Sequence, residues 1–337
     1  TWHWIFLVNL PIGAVSIFLI AAFLTERFEK HVHHIDFAGA GMMLITGIVL
    51  IYTLMQLGDT WSITSVEGIS MILLSIVLVI ATIYIEKKSV EPIMPLWVWR
   101  NRTLLGGNLA VLGLGAMMIG PNMYVPIYSQ SVLQLGAIAS GFVLASLSLG
   151  WPVASSFSGI LYLKIDFRNT AIIGAILVIT SSVGFVMLPF EAPVWLVVIN
   201  QTFMGAGFGL LSTPTLVGVQ SIVGWQQRGV VTGANMFTRY LGQSIGASIL
   251  GGIFNATMRD QLTQAPQEIQ SELPQNVNDV VGVLQSHSTT QPVIDYLRES
   301  FYASSHDVFA TMALIGVVTF LVLMLLPRKF PVIHEDR

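Results

Sequence analysis

The chain has 337 residues, of which 54% are hydrophobic and only 10% charged, and its formal net charge is −3. With a mean hydropathy of +0.74 and far less than the roughly 25% charge of a soluble domain, it is neither a soluble enzyme nor a disordered chain. It has no basic face for nucleic acid, and with no cysteine it forms no disulfide and no thiolate metal site.

A membrane-spanning helix needs about 20 mostly apolar residues. Nine stretches qualify, at roughly 4–24, 37–57, 66–86, 103–132, 138–163, 169–189, 194–222, 229–257 and 306–326. Their length and recurrence predict helices rather than the alternating ten-residue strands of a membrane barrel. Pro11, Pro121, Pro126, Pro152 and Pro214 fall inside these stretches; packed membrane helices tolerate them because neighbours re-satisfy the freed backbone groups. The chain enters its first apolar stretch from Thr1 with no basic region before it, unlike a secretory signal. The expectation is a fragment whose upstream part is missing.

The basic residues sort the connections. Arg27 and Lys30 lie in the first, Lys87, Lys88, Arg100 and Arg102 in the third, Lys164 and Arg168 in the fifth, Arg228 in the seventh, and Arg328, Lys329 and Arg337 in the tail. The second, fourth and sixth carry no Lys or Arg, and the long eighth, 258–305, has only Arg259 and Arg298. Twelve basic residues therefore fall on one side, two on the other, and one, Arg239, inside a span. The positive-inside rule puts the basic side, and with it the C-terminus, in the cytoplasm. Segment 258–305 is rich in Gln, Asn, Ser and Pro. It predicts short amphipathic helices, for instance Val277–Leu284 and Val293–Phe301, parted by Pro266, Pro274 and Pro292 and capping the external face.

Three motifs then become specific. Trp2-His3-Trp4-Ile5-Phe6-Leu7-Val8-Asn9-Leu10-Pro11-Ile12-Gly13 resembles the W-x-W-I-F-x-x-N-x-P-I-G signature that opens the sixth helix of fourteen-span major facilitator drug:proton antiporters of the EmrB/QacA type. Asn235-Met236-Phe237-Thr238-Arg239-Tyr240-Leu241-Gly242-Gln243-Ser244-Ile245-Gly246 is similar to that family's N-x-x-x-R-x-x-G-x-S-x-G pattern in the thirteenth helix. Glu91-Pro92-Ile93-Met94-Pro95-Leu96, followed by Arg100-Asn101-Arg102, resembles the approach to the ninth helix. The resemblance implies an all-α integral membrane protein with a partial major facilitator fold: nine transmembrane helices, with a complete C-terminal six-helix bundle. Residues 1–24 would close the N-terminal bundle, 25–102 would hold two extra central helices and cytoplasmic loops, and 103–337 would form the C-terminal bundle, external segment and tail. It also implies a multi-pass protein of the plasma (inner) membrane.

Candidate site residues are the polar groups within apolar stretches. Arg239 costs about 2.5–3.5 kcal/mol at membrane depth unless paired or hydrated. It would contact substrate, pair with an acid whose charge follows protonation, or brace helix packing through backbone carbonyls. Asn108, Asn200, Gln201 and Asn235 each need a helix partner or a cavity. Asn122, Tyr124 and Tyr128 cluster near Pro121 and Pro126, where a proline-broken helix bearing aromatics suits an amphipathic ligand. No acidic residue lies deep in the nine stretches, and the resemblance puts the coupling acid in an upstream helix. Gly159, Leu161 and Arg168 fit a degenerate second copy of the superfamily's cytoplasmic loop motif, in which Leu163 holds the acid position and Asp166 the second glycine position. Lys164, Asp166 and Arg168 are thus either a charged gate latch or simply a basic loop.

Small-residue pairs Gly205/Gly209, Gly229/Gly233, Gly242/Gly246 and Ala247/Gly251 predict close helix seams. His31, His33 and His34 beside Glu29 and Asp36 form a hydrated loop rather than a metal site, and the methionines pack apolar helices. No Walker loop, nucleophile elbow or His-Glu-x-x-His is expected to act here, so neither ATP-driven transport nor hydrolysis has support.

The expected function is transport, not enzymatic: part of a proton-driven permease exporting amphipathic or cationic drugs by alternating access. Its partners would be a small-molecule drug, protons and the lipid bilayer, with no cofactor and no metal, and segment 258–305 would be where a periplasmic adaptor docks. The alternatives are the same fold with another cargo (an antibiotic, siderophore, dye or cation) or a non-functional truncated membrane fragment.

Overall fold

The computed structural model describes residues 3–24, 36–59, 61, 64–89, 92–274, 277–286 and 289–330. They fall in two compact units, Thr1–Ile35 and Asp36–Arg337. In the first, α1 (His3–Leu7) and α2 (Asn9–Phe23) are joined by Val8, which keeps helical angles (φ −62°, ψ −31°) and donates to Trp4 O at 3.1 Å. The stretch expected at 4–24 is therefore one helical path, with a single bond missing where Pro11 has no N–H for the Leu7 carbonyl. The histidine cluster at 31–34 lies outside the described residues.

In the second unit α3 (Phe37–Asp59) and α4 (Val66–Lys88) form an antiparallel hairpin. A hydroxyl seam holds it: Thr46 Oγ1 meets Thr82 Oγ1 at 2.7 Å, and Thr53 Oγ1 meets Ser75 Oγ at 3.1 Å. Ser65 caps α4 by accepting from Gly68 N at 3.0 Å, while Glu67 in the first turn and Lys87 and Lys88 in the last suit the helix dipole. Most of the hairpin's apolar surface is uncovered by protein, which lipid tolerates and water would not.

A short turn, α5 (Trp97–Arg100), leads into α6 (Arg102–Ile119). Asn101 caps α6, accepting from Thr103 N and Leu104 N at 2.9 and 3.3 Å. A π-turn over Gly120–Tyr124 then passes into α7 (Val125–Ser131). The proline-broken helix expected here is therefore one continuous path: the wider turn absorbs the bond that Pro121 cannot make.

Helix α8 runs from Ala137 to Val186 with one non-helical residue, Asp166 (φ 71°, ψ 160°), and α9 is Val194–Ser221. Leu147 and Trp151 of the first limb of α8 lie against Gly205 and Gly209, so that limb runs parallel to α9. In the second limb Gly174 lies against Leu211 and Ser181 against Asn200, so that limb runs antiparallel. The chain therefore reverses at Asp166, and α8 comprises both expected spans, 138–163 and 169–189.

α10 (Trp225–Thr263) and α12 (Gln291–Leu325) both continue beyond the expected spans, with α11 (Val277–Ser286) between them. Segment Val293–Phe301 is thus not a separate helix but the start of α12, which Pro292 opens at a position where no N–H is needed. The extensions are stapled by Tyr296 Oη donating to Gln261 O at 2.6 Å, and the adjoining spans by Thr257 Oγ1 donating to Asp307 Oδ2 at 2.7 Å. Val280 and Leu284 of α11 join the buried core with Phe301 and Phe309.

Among the described residues six helices are long and apolar enough to cross a membrane: the spans in α3, α4, α6 with α7, α8, α9 and α12. α8 supplies two crossings, and α10 has the length but too many polar side chains to meet an apolarity criterion. No strand occurs among the described residues. This is an all-α integral membrane architecture.

Glycines set its closest contacts. A Cβ on Gly242 or Gly246 would stand well under 3.0 Å from the Leu112 or Ala116 carbonyl oxygen, and one on Gly115 would do the same to Arg239 O. The backbones of α6 and α10 therefore touch. Gly205 and Gly209 seat α9 on α8 in the same way, whereas Gly229 and Gly233 have nothing within 4 Å.

Candidate functional site

Where the α6–α10 seam opens, a cavity of about 210 Å³ lies between α6, α8, α9 and α10. Asn235, Met236 and Arg239 reach it from one face of α10, Ser212 and Thr213 from α9, and Trp151 from α8, with Val111 and Leu114 forming an apolar wall. Pro214 lies between the polar α9 pair and Leu216. Trp151 is held against Phe208, ring centres 5.5 Å apart.

The polar groups are only partly satisfied. Asn235 Nδ2 donates to Asn108 Oδ1 at 3.3 Å, and both residues are buried. Asn108 Nδ2 and Arg239 Nε are buried without a partner among the described residues. The guanidinium sits 5.8 Å from the Tyr240 ring, and no carboxylate lines the cavity among the described residues. An unpaired guanidinium with a hydroxyl pair and an amide around it is chemically a hydrogen-bond donor site. It would take an acceptor or a negative charge from whatever enters.

The remaining candidates go elsewhere. Asn200 Nδ2 donates to Ser181 O at 2.8 Å and ties α9 to α8. Gln201 is fully buried with neither end of its amide partnered. Asn122 is exposed and donates to Met118 O of its own helix at 2.7 Å. Tyr124 packs against Phe254, the rings tilted by 39° with centres 5.1 Å apart, and lines a different cavity. Tyr128 lies 6.5 Å from the Tyr302 ring, its hydroxyl buried without a partner.

At the basic end, no ion pair joins Asp166 to Lys164 or Arg168. Thr170 Oγ1 instead donates to the Asp166 carbonyl at 3.0 Å, Arg168 Nη2 reaches Met324 Sδ at 3.6 Å, and Arg102 Nη2 donates to Leu325 O at 2.8 Å. Phe167 packs between Tyr162 and Phe330. The turn of α8, the start of α6 and the end of α12 therefore meet at one end, as the alternation of basic connections requires.

Sequence reasoning missed Trp151, Ser212 and Thr213, ordinary residues until α8 and α9 fold beside Arg239. It also missed Glu86, which is 5% exposed at the end of α4 and accepts from Met94 N at 3.1 Å. Its other oxygen faces the Gly39 backbone together with Asp36. Asp36 opens α3 by accepting from Gly39 N at 2.7 Å. Hydrogen bonds from the Ser89 side chain and Gly39 hold its carboxyl below the usual aspartate range. The apposed carboxylates can be placed only once the hairpin closes.

Sequence reasoning read no Gly-x-Ser-x-Gly elbow, yet Gly242-Gln243-Ser244-Ile245-Gly246 has that spacing. It lies inside α10, both glycines are pressed on α6, and Ser244 Oγ donates to Tyr240 O at 3.2 Å. The strand–turn–helix that exposes such a serine does not occur there.

Comparison with known proteins agrees with this architecture. Over 343 residues the chain is 28% identical to "Multidrug resistance protein 3" of Bacillus subtilis (strain 168), covering 98% of this chain and 65% of that protein. It is 24% identical over 352 residues to "Multidrug transporter protein MdtP" of the same organism, covering 97% and 65%. It is 26% identical over 273 residues to "Multidrug efflux pump SdrM" of Staphylococcus aureus (strain N315), covering 78% and 59%. The chain thus spans less than two thirds of the length of these relatives. The sequence pattern of the Major Facilitator Superfamily matches residues 1–247, well over half of an all-helical membrane chain, and the chain belongs to that superfamily.

Proposed function

We propose that the chain is the part of a fourteen-span, EmrB/QacA-type permease from its sixth helix onward, and that the whole protein exports amphipathic or cationic drugs by proton-driven alternating access. In this reading 37–57 and 66–86 are the extra central pair and 103–337 is the C-terminal bundle. The basic end and the C-terminus are cytoplasmic, and the protein resides in the plasma membrane. The observation that carries the reading is the cavity at Arg239, where a guanidinium with no carboxylate partner among the described residues meets Asn235, Ser212 and Thr213 between packed helices, a donor set for an acceptor group on an amphipathic drug. The names of the relatives support the drug-export class.

Arg239 would meet an acceptor group on the substrate, or an acid of the other bundle whose charge the proton controls. Asp166 would be the pivot of the cytoplasmic gate, with Lys164 and Arg168 beside it. A periplasmic adaptor, if one is used, would dock on 258–305. The test expresses the gene product in its native reading frame in a pump-deficient bacterial host and follows accumulation of a fluorescent cationic drug. Drug exclusion that disappears with an uncoupler and in Arg239→Ala supports the reading; exclusion indifferent to the proton-motive force refutes proton coupling.

A further inference from the structure

A second cavity, about 410 Å³, lies between α3, the π-turn, α10, α11 and α12. It shares no lining residue with the Arg239 cavity, and its nearest α10 residue, Ala247, lies about 12 Å along the helix from Arg239. Its size falls within the range of about 300–1,000 Å³ typical of small-molecule pockets.

The wall has a definite chemistry. Tyr124, Phe254 and Phe301 form a ladder of rings, with successive centres 5.1 and 5.0 Å apart. Met55 of α3 and Met123 of the π-turn line its open side, 55% and 52% exposed, and methionine adapts to irregular shapes. Val281 of α11 contributes to the roof. No charged side chain lines the cavity among the described residues.

Two polar side chains on the wall, Asn255 and Tyr124, make no hydrogen bond among the described residues. Ser248 Oγ is used by the Leu54 carbonyl. The Tyr124 side chain is 3% exposed, and its hydroxyl has no hydrogen-bond partner among the described residues. That hydroxyl stands 3.8 Å from where a Gly251 Cβ would lie. The absence of a side chain at Gly251 keeps the space in front of it open.

We propose that this cavity is a binding site for an uncharged aromatic small molecule, which slots against the Tyr124–Phe254–Phe301 ladder and is oriented by one hydrogen bond to the Tyr124 hydroxyl. The π-turn is what makes the site, since it turns Met123 and Tyr124 toward α10. The amphipathic α11 roofs the site, and α3 closes one side.

The test uses benzophenone, an uncharged aromatic photoprobe that inserts readily into methionine, on the purified chain in lipid nanodiscs, with labelled peptides identified by mass spectrometry. The expected result is saturable labelling of Met123 and Met55 above that of Met187, which lies outside the cavity and is 77% exposed. Gly251→Leu, which fills the space before the hydroxyl, should cut Met123 labelling at least tenfold. Tyr124→Phe should weaken half-saturation severalfold with the ring ladder intact. Val281→Trp fills the cavity from the roof and serves where Gly251→Leu fails to assemble. Arg239→Ala should leave this labelling unchanged, which separates the proposal from the reading of the Arg239 cavity. Met123 labelling no stronger than that of Met187, or unaltered by both filling variants, overturns it. So does labelling of Met123 by a photoreactive acyl lipid that excess benzophenone does not displace, which would make the occupant a lipid chain.

Discussion

Asp166 adopts φ 71° and ψ 160° at the reversal of α8, a region open essentially only to glycine and costing other residues about 1–3 kcal/mol. Asp166→Gly removes that cost. It also raises the entropy of the unfolded chain, which takes back about 0.5–1 kcal/mol. No hydrogen bond of the Asp166 side chain offsets the balance, because the Thr170 contact uses the backbone carbonyl. The variant should therefore be more stable by about 1 kcal/mol. Asp166→Ala separates conformation from charge: it removes the carboxylate and keeps the strained backbone, so it should be no more stable than the parent. The assay is the denaturation midpoint in mixed micelles, read by the loss of far-ultraviolet helical signal. If Asp166→Ala stabilises as much as Asp166→Gly, the carboxylate and not the backbone was the liability, and the strain argument is wrong. Export measured in the same variants then tests the pivot: a relaxed turn that leaves transport unchanged would place no stored strain in the gating cycle.

Gly242→Ala should lower the midpoint by about 1–3 kcal/mol, because its methyl would collide with the Leu112 carbonyl of α6, while Gly233→Ala, with nothing within 4 Å, should be neutral or slightly stabilising. Asn108→Leu should cost about 1–3 kcal/mol by leaving the Asn235 amide buried without an acceptor, and the double replacement Asn108→Leu/Asn235→Leu should recover most of it in a double-mutant cycle. Arg239→Gln should leave the midpoint unchanged or raised, since a charge leaves the membrane interior, while drug export falls at least tenfold; lowered stability with export intact would assign Arg239 to bracing alone.

The amount of the fold that could be read in advance follows from what each signal measures. Apolar length reports burial from water, so it marked the crossings but could not see that the π-turn carries the chain past Pro121. Charge placement reports the ends of helices, and it separated the two limbs of α8 although the helix is interrupted at only one residue. Glycine spacing reports only that a close approach is available. Gly229/Gly233 and Gly242/Gly246 are the same pattern on the same helix, and only the second pair is occupied by a neighbour.

The candidate site was legible to the same degree and for the same reason. A polar side chain in an apolar stretch must find a partner or a cavity, but a single sequence does not say which. Folding distributes the outcomes: Asn200 binds the α8 backbone, Asn122 its own helix, and Asn108 and Asn235 each other. Removing those with structural partners leaves Arg239 as the charge facing open volume. The helix that carries it, α10, is also the one whose polarity keeps it below an apolarity criterion for spanning. That polarity goes with being lined on one face by a packing seam and elsewhere by cavities. A helix that spans a bundle but reads as too polar for lipid is therefore where a permeation path should be sought first, since packed neighbours rather than hydrocarbon must solvate its side chains.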